Sequence, residues 1–575
     1  MDLLKEASIE SNLIWKAAGK PKYGPIFDKR QSCRLQYRKR IRDNQNHELS
    51  SYSNDLHEAL LVKNGTAFWK VWRSKFGCKN KPLDVEGCSD VNIIADKFAQ
   101  FFFYQCCSAN SSTRAAELHA EFTRMRVNYC GSAFNDEHLF DVELISNIIF
   151  KLKRGKAAGL DSLTAEHLLH CHPSLSCILV KLFNLMLRCA YLPRDFGQSY
   201  TVPLSKVNDC RTKSVSCSDF RGIAISCILS KVFEHCILER FNSFFSSNDN
   251  QFGFKKSVGC SHAIYTVRNI VNRFIDGGST VNLCALDLSK AFDKVNHSAL
   301  FIKLMKRRIP IELLDLLVYW LNNCFSCVRW DGVLSQVFKL EFGVRQGSVL
   351  SPFLFAVYID DLIDYRRNGF SSFVILYADD ILLLAQSISA LQTLLVACER
   401  ELSWLDMKLN AKKSCCMRIG PRYSVKCCNI ISNCGYSLPW VNEIRYLGVN
   451  IIQSRMFKCS FDRAKRAFYR SLNAVFGRIG RVASEEVVIQ LVIQKCLPIL
   501  LYGTEACPLN KSELGSFDFI INRFLMKLFR TNNITIIDEC RSFFNVTLPS
   551  SSIISRKDRF SLKYKQSDNF FCKLF

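Results

Sequence analysis

The chain has no apolar run approaching the roughly 18 residues of a membrane span, which excludes a helical membrane anchor within it. It also lacks internal repeats and low-complexity linkers, and its balance of apolar and charged residues excludes a fibrous or largely disordered protein. The opening MDLLKEASIESNL has neither a basic start nor an apolar signal core. The expectation is an intracellular protein, not a secreted one, in the nucleus or the cytoplasm. Acidic residues are scarce beside basic ones: 52 Asp and Glu against 77 Lys and Arg leave a formal charge of +25, so a polyanion is the expected partner. Charge alone does not single out nucleic acid, because ribosomal, membrane-surface and secreted proteins can be equally basic.

Cysteine is abundant, but the patterns that would give it a role are missing. The 28 thiols include one CxxC, Cys324 to Cys327, with no second CxxC or HxxxH at zinc-site spacing. The adjacent pairs Cys106–Cys107, Cys415–Cys416 and Cys427–Cys428 suit a disulfide framework poorly, since neighbours cannot easily reach separate partners, and they read as packing residues. His167, His170, Cys171 and His172 read as one side of a helix.

At 575 residues there is room for about three or four folding units. The first hundred or so residues read as a basic, helical lead-in. Arg34, Arg38, Lys39, Arg40 and Arg42 crowd one short segment, and AFWKVWRSKFG from Ala67 sets aromatics between cations, a pattern for a solvated helix face or for nucleic-acid backbone. From about residue 140 amphipathic helices flank a Lys- and Gly-rich loop. Short strand-like runs alternate with helices from Val202 to Gly448. Beyond that the chain turns helical again, with Ala464, Phe468, Leu472 and Phe476 at a spacing of four and Ser484 before Glu485 and Glu486 as a helix start.

The strongest chemical signal is FVILYADDILLLA, Phe373 to Ala385. Two apolar runs flank Tyr377, Ala378, Asp379 and Asp380, which predicts a buried hairpin with carboxylates at its tip. Burying adjacent carboxylates without a counter-charge is costly, and a divalent cation is the natural compensation. A second acidic strand end lies in VNLCALDLSKAFDKVNH, where Asp287 follows the apolar run Leu283 to Leu286. Two such sites converging in space can hold two metals about 3.5–4 Å apart, the arrangement that clamps attacking and leaving oxygens in phosphoryl transfer. Tyr358, Ile359, Asp360 and Asp361 imitate the same Y-x-D-D pattern. Their apolar neighbours Leu350, Phe353, Leu354 and Val357 recur at three and four, however, and Pro352 suits a first helical turn, so this copy predicts a helix. Just before it, Gly343, Arg345, Gln346 and Gly347 form a loop able to approach a nucleotide or template strand closely.

Taken in order, these segments resemble the reverse transcriptases of non-LTR retrotransposons, the LINE type, over about Lys151 to Glu505. KAAGLDSLTAEHL resembles the segment preceding the fingers, and TVPLSKV with DFRGIAISCILSKVFE the first finger motifs. QFGFKKSVGCSHAI resembles the motif after them. The resemblance implies a right-hand polymerase with fingers, ferredoxin-like α/β palm and helical thumb. It implies Asp287, Asp379 and Asp380 as catalytic metal ligands for two Mg²⁺ ions, with Mn²⁺ as a substitute. It further implies nucleotide contacts from Lys206, Arg221, Gln346, Gly347 and Lys413, the last a candidate general acid, and from Phe292 as a steric gate against a ribose 2′-hydroxyl. Template and primer contacts are implied for Arg345 and Tyr377, and for Tyr446, Leu447 and Gly448 in a primer-grip segment, IRYLGVNI. Ser414 stands where Thr is commoner in WLDMKLNAKKS, and LPILLYGTEA resembles part of the thumb.

The implied division is a basic helical region over 1–120, a helical extension of the fingers over 121–190, fingers and palm over 191–452, and a helical thumb and C-terminal region over 453–575. The implied partners are an RNA template, a DNA primer and target, and deoxynucleoside triphosphates. Neither the endonuclease nor the Cys/His knuckle of full-length relatives is legible, so a fragment or remnant reading frame is expected. The alternative readings are a group II intron maturase or telomerase-like enzyme, an inactive remnant that only binds RNA, and a carboxylate-pair hydrolase. SKAFDKVNH argues against the first, and the intact acidic triad against the second. Basic finger residues beside strand-borne acids fit triphosphate chemistry better than the third.

Overall fold

A computed structural model describes residues 2–62, 65–76, 82, 84–106, 113–206, 215–362, 372–479 and 483–574. They group into two compact units, one of residues 1–79, 461–505 and 509–558, the other of residues 80–460, 506–508 and 559–575. Helix Val91–Cys106, from the region expected as a basic helical stretch over 1–120, packs with the central unit. Its Phe98 meets Phe220 and Trp330 with ring centroids 4.9 and 5.1 Å away.

The central unit is organised by a four-stranded antiparallel sheet in the spatial order Ser372–Tyr377, Asp380–Ala385, Val281–Leu286, Cys415–Ile419. Numbered along the chain, that is 2-3-1-4, the split βαβ arrangement of a ferredoxin-like sheet and the palm expected from the sequence. The strands are near-continuous apolar runs, and helices Cys260–Asp276 and Ile388–Trp404 pack against the sheet. Their burial places the polar ends of the strands, where Asp287 and Asp379 sit, at the sheet's margin. A second sheet runs Phe220–Ser226, Gln198–Ser205, Phe325–Trp330, Val333–Leu334, with Phe338–Lys339 also paired to Phe325–Trp330. Glu443–Tyr446, Val449–Ile452 and Lys458–Ser460 form a third. Leu447 and Gly448 make a two-residue turn there with φ of +45° and +85°, the mirror-image geometry that matches hairpin twist.

The imitation Y-x-D-D copy is helical: helix Ser351–Ile359 carries Tyr358 fully buried. Asp360 just beyond it is tied to Arg307 at 2.5 Å and accepts the Asn248 amide at 2.7 Å. What holds the start of this helix is a glutamate. Glu234, fully buried on helix Ile228–Arg240, accepts from Ser348 Oγ, Val349 N and Leu350 N at 2.5, 2.5 and 2.8 Å, and from Ser230 Oγ at 3.3 Å. Its negative charge lies where the helix's unpaired amides collect positive potential.

In the other unit the helices Asp2–Ala17, Pro25–Leu61 and Gly65–Phe76 pack with Asp462–Ile479, Glu485–Leu491 and Lys511–Phe529. The guanidinium of Arg30 lies 3.6 Å over the Trp15 ring and the Lys495 ammonium 4.1 Å over Trp69. Arg34, Arg38, Lys39, Arg40 and Arg42 are exposed on Pro25–Leu61. The buried stripe of Asp462–Ile479 is Phe468, Leu472, Val475 and Ile479, one turn-position off the expected Phe476, because a 3.6-residue period drifts from a strict spacing of four. Ser484 is the N-cap residue of the next helix, but its hydroxyl pairs with His57 Nδ1 at 3.1 Å instead of closing the cap. A π-turn, Val492–Cys496, follows, where Pro498 has no N–H to continue the ladder.

Two expectations are corrected. The helix carrying His167 stops at Leu169, so His170, Cys171 and His172 are not on its side; His167 Nδ1 accepts from Thr164 N at 3.0 Å and caps the helix start. Among the paired cysteines Cys416 is core, but Cys428 is exposed on a loop and Cys106, Cys415 and Cys427 are only partly buried, while Cys107 lies outside the described residues. No helix among the described residues is long and apolar enough to cross a membrane.

Glu234→Ala strands two buried amides and should lower stability by about 2–3 kcal/mol, read as a lower urea midpoint, with Glu234→Gln, which keeps one acceptor oxygen, losing less. An unchanged midpoint for the alanine variant refutes this role.

Candidate active site

Asp287 follows the last residue of strand Val281–Leu286 and is fixed from three sides. Its amide donates to Ser414 Oγ at 3.2 Å, its carbonyl accepts from Asn410 N at 2.8 Å, and its Oδ2 accepts from Asn410 Nδ2 at 3.1 Å. The Ser at 414 thus serves as a hydroxyl anchor and is wholly buried. The Lys413 ammonium stands 3.8 Å from the same Oδ2. Asn410 was missed in the sequence, where it reads only as one residue of LNAKKS.

Asp379 and Asp380 occupy the expected hairpin. Tyr377 pairs with Asp380 across a two-residue turn, and Ala378 adopts φ +53°, a left-handed conformation unusual for a residue with a Cβ. The strands are buried, but the tip is not: Asp379 is half-buried and Asp380 exposed, so the expectation of buried carboxylates is corrected. The tip borders an open cleft, where a substrate can enter and water can solvate the acids. Asp380 keeps one open face while protein atoms crowd the other. That crowding, then the charges of Asp379 and Asp287, push its carboxyl up to about 6.

One cleft, about 1530 Å³ with its open mouth, gathers most of the remaining candidates: Lys206, Arg221, Phe292, Gln346, Gly347 and Lys413, together with Asp287 and Asp379. Lys206 Nζ donates to Ser218 O at 2.8 Å. Partial burial, followed by the like charges of Arg221 and Lys413, lowers its pKa, so the three cations form one positive wall. Phe292 stacks on Phe355 with centroids 4.5 Å apart. Gln346 donates through Nε2 to Asp293 Oδ1 at 3.0 Å, and its carbonyl accepts from Ala224 N at 2.8 Å. Gly347, at φ +136°, packs so tightly that a Cβ would stand 2.2 Å from Ala224 O. The glycines of this loop thus serve close approach to protein backbone.

Arg345 borders the cleft but is largely buried, and its guanidinium donates to Phe196 O at 3.3 Å. Tyr377, Asp380, Tyr446, Leu447 and Gly448 do not line the cleft. Tyr446 is buried close enough to Asp380 and Tyr377 for their charges to reinforce the upward shift that burial gives its phenol. Phe101, Phe102 and Gln105 of helix Val91–Cys106 also line the cleft, and Lys290 Nζ lies 5.3 Å over the Phe101 ring. Nothing in the local sequence marks that helix as part of a site.

Among the described residues no three His, Cys, Asp or Glu side chains are gathered tightly enough to hold a metal by themselves. The donors at hand are carboxylate oxygens on an open cleft. That set suits a hard cation such as Mg²⁺, which takes one or two carboxylates and completes its shell with water and phosphate oxygens.

Residues 207–451 match the family described as reverse transcriptase (RNA-dependent DNA polymerase). The Pol polyprotein of the type-2 retrotransposable element R2DM from Drosophila melanogaster is 27% identical over 299 residues, 50% of this chain and 28% of that protein. The RNA-directed DNA polymerase from mobile element jockey of Drosophila funebris is 27% identical over 381 residues, 63% of this chain and 41% of that one. A probable RNA-directed DNA polymerase from transposon BS of Drosophila melanogaster is 24% identical over 407 residues, 66% of this chain and 44% of that protein. The chain thus spans less than half the length of each. The structure of an apo telomerase from Candida Tropicalis, truncated from its C-terminal domain, overlaps 71% of this chain and 89% of its own, at a TM-score of 0.34 and 10% identity.

Because Asp380 titrates higher folded than unfolded, the folded state binds the extra proton between about pH 4 and 6, and stability rises as pH falls through that window. In metal-free buffer Asp380→Asn should raise the melting midpoint at pH 7.5, with the advantage shrinking at pH 5. A gain that is equal at both pH values, or absent, would show that the fold does not disfavour the charge of Asp380.

Proposed function

We propose that the chain, whose residues 207–451 match the reverse transcriptase family, is an RNA-directed DNA polymerase of the non-LTR retrotransposon kind that extends a DNA 3′-hydroxyl on an RNA template. The observation that carries this reading is a single cleft lined by Asp287 and Asp379 together with Lys206, Arg221 and Lys413, the last 3.8 Å from Asp287 Oδ2. Acids and cations sharing one cleft suit a triphosphate and its cations. Hydrolysis by a carboxylate pair would have no use for three cations.

In this reading Asp287, Asp379 and Asp380 would hold two Mg²⁺ ions, with Mn²⁺ as a substitute, whose positive charge would be available to the attacking and leaving oxygens. Lys206 and Arg221 neutralise the triphosphate, and Lys413 stands where it can protonate the departing pyrophosphate. Asn410 and Ser414 keep Asp287 from swinging away. Phe292, braced by Phe355, presents a flat apolar wall where a ribose 2′-hydroxyl would lie, and so favours deoxynucleotides. Gln346 and Gly347 form the loop beside the base pair being made, and the Tyr446–Gly448 turn lies on the primer side. The RNA–DNA duplex is followed through its phosphates by the basic surface, inside the cell that supplies the template.

Primer extension with Mg²⁺ and deoxynucleotides on an RNA template tests the assignment directly. The parent should extend and Asp379→Ala should fall by at least about 1,000-fold, as expected when charge stabilisation at a transition state is removed. Extension that survives in the Asp379→Ala protein would sink the proposal. Phe292→Val should raise ribonucleotide incorporation relative to deoxynucleotide by about tenfold or more, the scale of removing one steric contact; unchanged sugar selectivity removes Phe292 from the gate.

A further inference from the structure

The segment Asn250–Gly253 runs beside the strand that ends in the Asp379–Asp380 turn. Leu376 N donates to Asn250 O and Phe252 N to Leu376 O, both at 2.8 Å, so Gln251 bridges Leu376 in parallel pairing. The Gln251 side chain, fully buried, then reaches the turn itself. Its Oε1 accepts from Ala378 N at 2.9 Å and from Gly253 N at 2.8 Å, and its Nε2 is 3.5 Å from Ala378 O. Two N–H donors aimed at one atom of the amide identify that atom as oxygen, which fixes the amide's orientation. Ala378 is the residue at φ +53°, a conformation that costs a non-glycine residue of order 1 kcal/mol and persists only where neighbours enforce it. Gly253 completes the fit, since a Cβ there would stand 2.6 Å from Ala378 N.

The Gln251 loop is itself held by residues far along the chain. Asp249 O accepts from Asn569 Nδ2 at 2.7 Å and Asp249 Oδ2 from Phe570 N at 3.0 Å. Phe571, almost wholly buried, packs against Phe252 and Phe373 with centroids 6.5 and 6.3 Å away. The same short loop thus touches the turn that carries two of the three acids and the segment Asn569–Phe571, more than a hundred residues beyond the reverse transcriptase match.

We propose that Gln251 is the positioning residue of the Asp379–Asp380 turn and that Asn569 and Phe571 hold it there, so that the segment Asn569–Phe571 helps set the geometry of the acidic site. Gln251 touches no substrate. It acts by satisfying the Ala378 amide and keeping that peptide in its strained conformation, which aims Asp379 into the cleft. The inference rests on the polymerase reading for its effect on rate, but not for the contact itself.

The test uses the full chain, with Gln251→Met, similar in length but lacking the accepting oxygen, and Asn569→Ala as a milder change remote from the acids. Two quantities are read: amide hydrogen exchange over residues 376–380, and the split between kcat and KM for a deoxynucleotide. Gln251→Met should speed exchange at the turn and lower kcat by about 100-fold, the scale of a misplaced reacting group, with KM within about twofold. Asn569→Ala should move both readouts the same way by about threefold, and combining the changes should add little beyond Gln251→Met, as expected for residues acting on one element. Parent-like exchange and kcat in Gln251→Met overturn the proposal, as does a loss carried wholly by KM. Full additivity of the two changes overturns the part assigned to Asn569. Should the parent itself fail to extend a primer, the polymerase reading falls and exchange at the turn still decides whether Gln251 holds it.

Discussion

Mutual repulsion among Asp287, Asp379 and Asp380 is the constraint around which the central unit is arranged. Carboxylates that would separate if free are brought together because the strands that carry them have nowhere else to go. Val281–Leu286 and Asp380–Ala385 are neighbours in a buried sheet, and their register sets the acids side by side. The burial of those strands offsets the electrostatic cost, and the backbone groups at each strand end are tied down separately: Asn410 and Ser414 for Asp287, Gln251 for the turn. The result is a site in which the charge of Asp380 is disfavoured by crowding and by its acidic neighbours.

The same cleft carries charge of the other sign. Lys206, Arg221 and Lys413 come from separated stretches of chain, and burial followed by the charges of Arg221 and Lys413 lowers the pKa of Lys206. The strand that carries Arg221 is held against the glycine loop, where Gly347 lies against Ala224 with no room for a side chain and Glu234 locks the turn that follows. Acids and cations of the cleft thus sit on elements that packing helps to hold in place.

Much of this was legible in the sequence. The acidic hairpin, the second acidic strand end and the helical identity of the Asp360–Asp361 copy all follow from periodicity, since runs of β-branched and leucine residues read differently from apolar positions three and four apart. The partners of those residues were not legible, and the reason is physical. Asn410, Gln251, Glu234 and helix Val91–Cys106 act through contacts between segments distant in the chain, and local composition carries no record of which carbonyl a side chain will meet. Exposure at the hairpin tip was misjudged for a related reason: a strand pattern reveals that its middle is buried but not whether its end faces a cleft. The helix-side reading of His170 and His172 failed because a five-residue helix ends before them.

The unit formed by residues 1–79, 461–505 and 509–558 carries a consequence for synthesis in the cell. Leu56 and Phe68, buried in that unit, leave the ribosome roughly 400 residues before the later helices of the same unit. At translation speeds of about 5–20 residues per second the wait is on the order of 20–80 s. During that interval most of the central unit, residues 80–460, emerges while the first helices, an apolar and strongly basic segment, still lack part of their core, so that segment is open to association with other chains until residues 461–558 arrive.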